Sequence, residues 1–390
     1  FAYNIYKGEI SMQNIIYLDN AATTKVKEDV LKNMIPFFSE GYGNPSSIYS
    51  IGRSSKRAIE NAREEVARLI GSDKKEIYFT AGGSESDNMA IKGFAYANKD
   101  KGNHIITSKI EHHAVLETCE FLKTQGFDIT YLNVDENGVV NLEELERSIS
   151  DKTILISIMF ANNEIGTIEP IEKIAKIAHN RNIIFHTDAV QAVGNVSINV
   201  REMGIDMLSM SGHKIYGPKG TGALYVKEGV KLVKFMNGGG QEKNKRAGTE
   251  NVAGIVGIGK ACELSYKNID EHIKKLSFLR DYYEQEIKKY IDNIKINGDI
   301  GNRLPGNSNI SFKGVEGSTL LLELDNRGIC ASSASACSSG DTKPSHVLIS
   351  IGLKEEWSKG ALRVTFGEFN NKDEIDFVIS ELRKIINKIG

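Results

Sequence analysis

Ile183-Ile184-Phe185-His186-Thr187-Asp188-Ala189-Val190-Gln191, followed after a short interval by Met207-Leu208-Ser209-Met210-Ser211-Gly212-His213-Lys214, puts one apolar run ahead of an acid and a second ahead of a lysine. Runs this short, closed by polar residues and glycine, read as buried strands. The pattern recurs at Glu76 to Thr80, His104 to Ser108, Ile129 to Val134, Ile154 to Phe160 and Ala223 to Val226, always alternating with helical stretches. Strands separated by helices predict crossover units, hence an α/β fold with a mostly parallel sheet covered on both faces. Ligands in such sheets lie at the carboxyl ends of the strands. Ser84, Asp188 and Lys214 all fall at or just past those ends.

Around this centre the chain divides. From Ser55 to Ile70, residues Ala58, Ile59, Ala62, Val66, Leu69 and Ile70 share one face at helical spacing, with Gly71 as a stop. Beyond Leu264 the pattern changes to a long charged helix reaching about Lys289, strands near Asn309 to Phe312 and Leu362 to Phe366, a helix near Ser318 to Asn326 and a final amphipathic helix. This reads as a separate α+β domain, with the cleft between the two. A length of 390 residues suits one large domain plus a smaller one. Met12 immediately precedes the first patterned segment, so residues 1–11 are read as an extension apart from the fold.

The net charge of −2, with 26% charged residues of both signs, gives no long-range attraction to nucleic acid or membrane. No apolar run approaches a membrane span, and the N-terminus lacks a signal-peptide layout, so a cytoplasmic protein is expected. Cys119, Cys262, Cys330 and Cys337 are wrongly spaced for a paired-cysteine metal site and suit a reducing compartment; no metal is expected.

Lys214 alone would read as a basic surface turn. Its company alters that reading. A lysine that carries pyridoxal 5'-phosphate needs a neighbour to keep the pyridine nitrogen protonated, and Asp188 can be that neighbour. Ser211 and His213 offer donors to phosphate oxygens. Gly82-Gly83-Ser84-Glu85-Ser86 follows a strand and opens a helix, which aims backbone N–H groups of Gly83 and Ser84 at one point suited to a phosphate.

The runs Tyr17-Leu18-Asp19-Asn20-Ala21-Ala22-Thr23-Thr24, Asn44-Pro45-Ser46-Ser47, Phe79-Thr80-Ala81-Gly82-Gly83-Ser84-Glu85-Ser86, Asn162-Asn163-Glu164-Ile165-Gly166, Asp188-Ala189-Val190-Gln191, Ser211-Gly212-His213-Lys214 and Arg246-Ala247-Gly248-Thr249-Glu250-Asn251 resemble the NifS/IscS-type cysteine desulfurases, from about residue 16 to the C-terminus and in the family's order. The resemblance implies the type I fold of pyridoxal-phosphate enzymes, with a large domain over 24–264 and a small domain from 12–23 and 265–390. It makes Lys214 the cofactor-bearing lysine and Asp188 the partner of the pyridine nitrogen. Gln191 and Asn163 would hydrogen-bond the ring hydroxyl and the substrate side, Gly83, Ser84, Ser211 and His213 would hold the phosphate, and His112 would stack on the ring. Arg363 would bind the substrate carboxylate, since a guanidinium forks onto it bidentately. Thr249 would reach the phosphate of a partner subunit, which implies a homodimer.

Cys337 lies in Ser332-Ser333-Ala334-Ser335-Ala336-Cys337-Ser338-Ser339-Gly340, a stretch with little to bury that reads as a loop. Cys330, after Gly328-Ile329, reads instead as a buried small hydrophobe. By resemblance Cys337 is the thiolate that takes sulfur from L-cysteine as a persulfide, releasing L-alanine, and passes it to an acceptor such as an iron–sulfur scaffold or a tRNA-thiolation protein. Other readings are an aminotransferase or selenocysteine lyase of the same class, and a cofactor-binding scaffold for sulfur transfer. Tyr49 departs from the family, which usually has histidine after Asn-Pro-Ser-Ser; Ser84 replaces the commoner threonine and Thr365 a common serine.

Overall fold

The computed structural model describes residues 15–333 and 345–389. Thirteen strands are described: β1 (Ile16–Tyr17), β2 (Ile77–Thr80), β3 (His104–Ser108), β4 (Asp128–Leu132), β5 (Thr153–Ser157), β6 (Ile184–Asp188), β7 (Met207–Ser211), β8 (Gly222–Val226), β9 (Ile294–Ile296), β10 (Asn307–Phe312), β11 (Ile329–Cys330), β12 (Ser332–Ser333) and β13 (Ala361–Thr365). Seven form a sheet of order β2-β8-β7-β6-β5-β3-β4, in which β8 alone runs against its neighbours. The mixed α/β architecture matches the fold class expected.

Alternation along the central strands explains why both faces are covered. Ile106, Ile156, Leu208 and Tyr225 join Ile59 and Val66 of the helix Ser50–Ile70 in one core. Their sequence neighbours Ile105, Leu155, Met207 and Leu224 join Met89 and Ile91 of the helix Gly83–Ala97, and Val115 of the helix His113–Thr124, in another. Successive strand side chains point to opposite faces, so an unbroken apolar run serves two helical layers at once. The helix Ser50–Ile70 begins five residues earlier than its apolar face predicts, because the polar first turn shows no periodicity to read. It ends where expected, with Gly71 at φ +70°.

A second core brings Leu18 together with Leu279, Tyr283, Ile310, Phe312, Leu362, Val364, Ile375 and Leu382. It is built on an antiparallel sheet of order β12-β13-β10-β9, the helix Lys372–Ile389 and the end of the helix Val252–Tyr290. That helix is 39 residues long, about 58 Å at 1.5 Å per residue. It crosses residue 264 unbroken, contributing Ile255 and Ile258 to the first core and Leu276 to Ile287 to the second.

The segment Leu18–Thr24 ties the two sheets together. Thr365 N–H donates to the Leu18 carbonyl at 2.7 Å and the Thr365 hydroxyl accepts Ala21 N–H at 2.9 Å. At the other end Thr24 N–H and hydroxyl both donate to the His213 carbonyl, at 2.9 Å each. No helix among the described residues is long and apolar enough to cross a membrane.

Candidate active site

Lys214 closes the short turn Gly212–Lys214 that leaves β7, and Asp188 is the last residue of β6. Because β6 and β7 pair in parallel, both residues emerge from the same edge of the sheet. Lys214 Nζ donates to the carbonyls of Ala21 and, at 2.8 Å, Ala22. Two residues on, Tyr216 sits at φ +64°, a strained position for a bulky side chain. Its hydroxyl accepts Glu368 N–H at 2.8 Å and its N–H donates to the Thr24 hydroxyl at 2.7 Å, so the lysine turn is held from both sheets.

The Asp188 carboxyl is 6% exposed and accepts Val190 N–H at 2.9 Å through Oδ1. Burial raises its pKa, opposed by the positive charges that His112 and Lys214 can carry. His112 caps the helix His113–Thr124: Nδ1 accepts Ala114 N–H at 3.1 Å, which leaves the imidazole proton on Nε2. Burial lowers its pKa, so it stands neutral. His213 Nδ1 meets the Thr23 hydroxyl at 3.2 Å, and burial, followed by the Lys214 charge, brings its pKa down to about 4.

One cavity of about 370 Å³ gathers these groups. Gly83, Ser84, Ser211 and His213 line it together with His112, Asp188, Gln191, Lys214, Asn163 and Arg363. The helix Gly83–Ala97 starts without a side-chain cap, so its first amides are not engaged by a capping side chain. Arg363 donates through Nη1 to the Asn163 carbonyl at 3.3 Å and through Nη2 to Asp19 at 2.7 Å, while its buried Nε has no partner among the described residues. Gln191 Nε2 donates to the Ala21 carbonyl at 3.0 Å.

The donor set fits a phosphorylated pyridine aldehyde: an anion cradle, a buried carboxylate on the cavity wall, a primary amine and a guanidinium with an unsatisfied donor. Lys214 would hold it covalently and Asp188 would face its nitrogen.

A class-V aminotransferase pattern matches residues 16–378. The chain belongs to the class-V aminotransferase family. A curated relative, the cysteine desulfurase IscS of Clostridium botulinum strain Hall, is 55% identical over 379 residues, covering 97% of this chain and 96% of its own. Among solved structures, a NifS-like protein superposes with a TM-score of 0.91 at 37% identity, over 96% of this chain and 100% of its own. SspA in complex with cysteine gives 0.81 at 39% identity, over 91% and 99%. This class-V chain is a pyridoxal-phosphate enzyme.

One of the expected site residues stands apart from the cavity. Thr249 is exposed and lines no part of it. Cys337 lies outside the described residues. Of the other cysteines, Cys119 and Cys262 are fully buried; burial pushes the Cys119 thiol up to about 12 and the Cys262 thiol higher still. Cys330 is only partly buried, short of the expectation, because β11 pairs with β1 at an edge. Tyr49 is exposed at the start of the helix Ser50–Ile70.

Sequence reasoning missed what the segment Asp19–Thr23 does. It appeared only as part of a quoted run, yet its carbonyls hold Lys214 and Gln191, Thr23 holds His213 and Asp19 holds Arg363. Its chemistry is mostly backbone, which side-chain identities do not announce. Asp87 was missed as well: it lines the cavity, 1% exposed, 3.7 Å from a His186 whose pKa burial takes down to about 3. That contact is therefore not an ion pair at neutral pH.

Proposed function

We propose that this protein is a cysteine desulfurase that converts L-cysteine to L-alanine and retains the sulfur as a persulfide on Cys337. The observation that carries the reading is one cavity lined by an amine, a buried carboxylate, a set of anion donors and a buried guanidinium. When bound, pyridoxal phosphate supplies an electron sink that lets the substrate Cα–H bond break near neutral pH.

The chain's own groups then divide the work. Arg363 binds the substrate carboxylate with Asn163 beside it, which fixes the amino acid in one orientation. The Lys214 amine, once free, takes the Cα proton as a general base; carbonyls such as those of Ala21 and Ala22 keep an amine in place through its N–H donors. Asp188, held by Val190 N–H, presents the counter-charge that keeps a protonated ring nitrogen protonated. His112, neutral with its proton on Nε2, is suited to give and take protons at the substrate. The Cys337 thiolate attacks the substrate Sγ, the Cβ–Sγ bond breaks, Cβ takes a proton, Cα regains the one Lys214 removed, and alanine leaves. A thiol of ordinary pKa is only a few per cent ionised at pH 7, so deprotonation is assigned to His112 or the site around it.

The homodimer belongs to the same reading. An exposed apolar strip, Leu31, Ile35, Phe38, Tyr42 and Ile48, with Phe38 68% and Tyr42 69% exposed, supports a partner subunit. The outward position of Thr249 supports its service to the partner's phosphate. Sulfur goes on to an acceptor protein such as an iron–sulfur scaffold or a tRNA-thiolation protein. Cytoplasmic residence is supported by the unpaired thiols of Cys119, Cys262 and Cys330.

The test is one turnover with L-cysteine, followed by mass mapping of the protein and assay of alanine. One added sulfur on Cys337, with alanine released, is expected; Cys337→Ser should bind cofactor and release none. Sulfur on Cys330, or full alanine release by Cys337→Ser, overturns the assignment.

A further inference from the structure

Arg363 lies on β13 with Asn309 of β10 and Ser332 of β12 as its register partners, and it is 3% exposed. A guanidinium so deep needs a counter-charge. It has one within the chain: Nη2 donates to Asp19 Oδ1 at 2.7 Å. Glu164, the other carboxyl whose charge bears on Arg363, instead accepts the Ser345 hydroxyl. Asp19 cannot drift away, because its backbone bridges Thr365 and its carbonyl accepts the Tyr17 hydroxyl at 3.0 Å. It also lines the cavity, so its charge faces whatever enters there.

We propose that Asp19 is a positioning and specificity-determining residue, which holds Arg363 by one edge and admits one substrate carboxylate while repelling a second. The inference rests on Arg363 being the carboxylate clamp of the desulfurase reading. With Asp19 on Nη2 and the Asn163 carbonyl on Nη1, the guanidinium still keeps Nε–H and the second N–H of each Nη as donors for an incoming carboxylate. An amino acid with an uncharged side chain, such as a thiol, meets those donors without further cost. One with an acidic side chain brings a second negative charge into a space that already holds the carboxyls of Asp19 and Asp188.

The experiment compares L-aspartate and L-asparagine, nearly isosteric and different by one charge, as competitors of L-cysteine. Wild-type protein should bind L-asparagine at least about tenfold more tightly than L-aspartate. Asp19→Asn should compress that ratio to about threefold or less, and Asp19→Glu, which keeps the charge, should preserve most of it. A purely structural role would weaken both competitors equally. As a readout independent of turnover, sodium acetate should raise the thermal midpoint of Asp19→Asn above its value in sodium chloride of equal ionic strength, by supplying the missing carboxylate. Wild type and Asp19→Asn/Arg363→Leu should not distinguish the salts. A wild type indifferent to the competitor's charge overturns the proposal, as does an unchanged ratio in Asp19→Asn. If wild type releases no alanine from L-cysteine, the desulfurase reading fails, and the acetate comparison still decides whether Asp19 is the counter-charge of Arg363.

Discussion

At the scale of single residues, environment decides which of several similar groups can do chemistry. Lys214 has carbonyl partners and a cavity, whereas the other cavity-lining cation, Arg363, is locked to a carboxylate. Borohydride treatment of wild-type protein should therefore fix a pyridoxyl group on Lys214, and Lys214→Ala should show none and lose at least about a hundredfold in turnover. An adduct elsewhere, with activity kept, would contradict this. Glu111, beside His112, shows the converse. It is fully buried, its Oε1 accepts the Ser108 hydroxyl at 2.6 Å and Met159 N–H at 2.9 Å, Oε2 has no partner among the described residues, and burial pushes its pKa up to about 8. A carboxyl raised from its ordinary 4.5 favours the folded state while protonated, and that stability is lost as pH rises from about 4.5 through about 8, by up to about 1.4 kcal/mol per pH unit. Thermal midpoints measured from pH 5 to 9 should fall across that window, and Glu111→Gln should flatten the fall. A variant that declines as steeply as wild type would show that Glu111 is not the titrating group.

At the scale of elements, the helix Ser50–Ile70 is fastened by a contact its periodicity does not suggest. Arg63 lies on its buried face and meets Glu242 through two 2.8 Å hydrogen bonds, with Glu242 also accepting Phe79 N–H of β2 at 2.8 Å. Glu242 belongs to three successive residues, Glu242, Lys243 and Asn244, at φ of 42°, 55° and 63°, a conformation that L-residues hold only under external constraint. The ion pair is such a constraint. Glu242→Ala should destabilise the protein by about 3–5 kcal/mol, since it leaves a buried guanidinium without its partner. Urea unfolding would measure it, and a loss below about 1 kcal/mol would show that water reaches Arg63. The sequence made the element visible, through Ile59, Ala62, Val66 and Ile70, but Arg63 stands outside that apolar pattern and its burial could not be read from it.

At the scale of the whole molecule, a second pocket, lined by Glu85, Lys219 and Gly220, shares Gly83, Ser84, Ser211 and His213 with the central cavity. A partner subunit supplying Thr249 would add a hydroxyl there. Sedimentation should give a dimer, and Thr249→Ala should leave the dimer intact while weakening cofactor retention about tenfold, by the loss of one charge-assisted hydrogen bond of about 1.5 kcal/mol. A monomer with full activity and bound cofactor would refute both the dimer and the role of Thr249. We also propose the division into a large domain over 24–264 and a small one from 12–23 and 265–390. Its support is that Leu18 packs with the C-terminal core rather than with the residues that follow it.

What the sequence by itself determined is local: where apolar runs stop, which residues stand at strand ends, and where Gly71 ends a helix. Asp188, Ser211, His213 and Lys214 were legible for that reason, because a strand end followed by a tight turn fixes a side chain's position within a few residues. The tertiary structure alone decided the pairings between distant parts of the chain. Asp19 meets Arg363 across 344 positions and Arg63 meets Glu242 across 179. Periodicity carries no information about such separations, and a charged residue announces neither its burial nor its partner. Both follow from how the sheets and the long helix pack, which is why the grip of the Asp19–Thr23 segment on Lys214, His213 and Arg363 emerges only once the chain is folded.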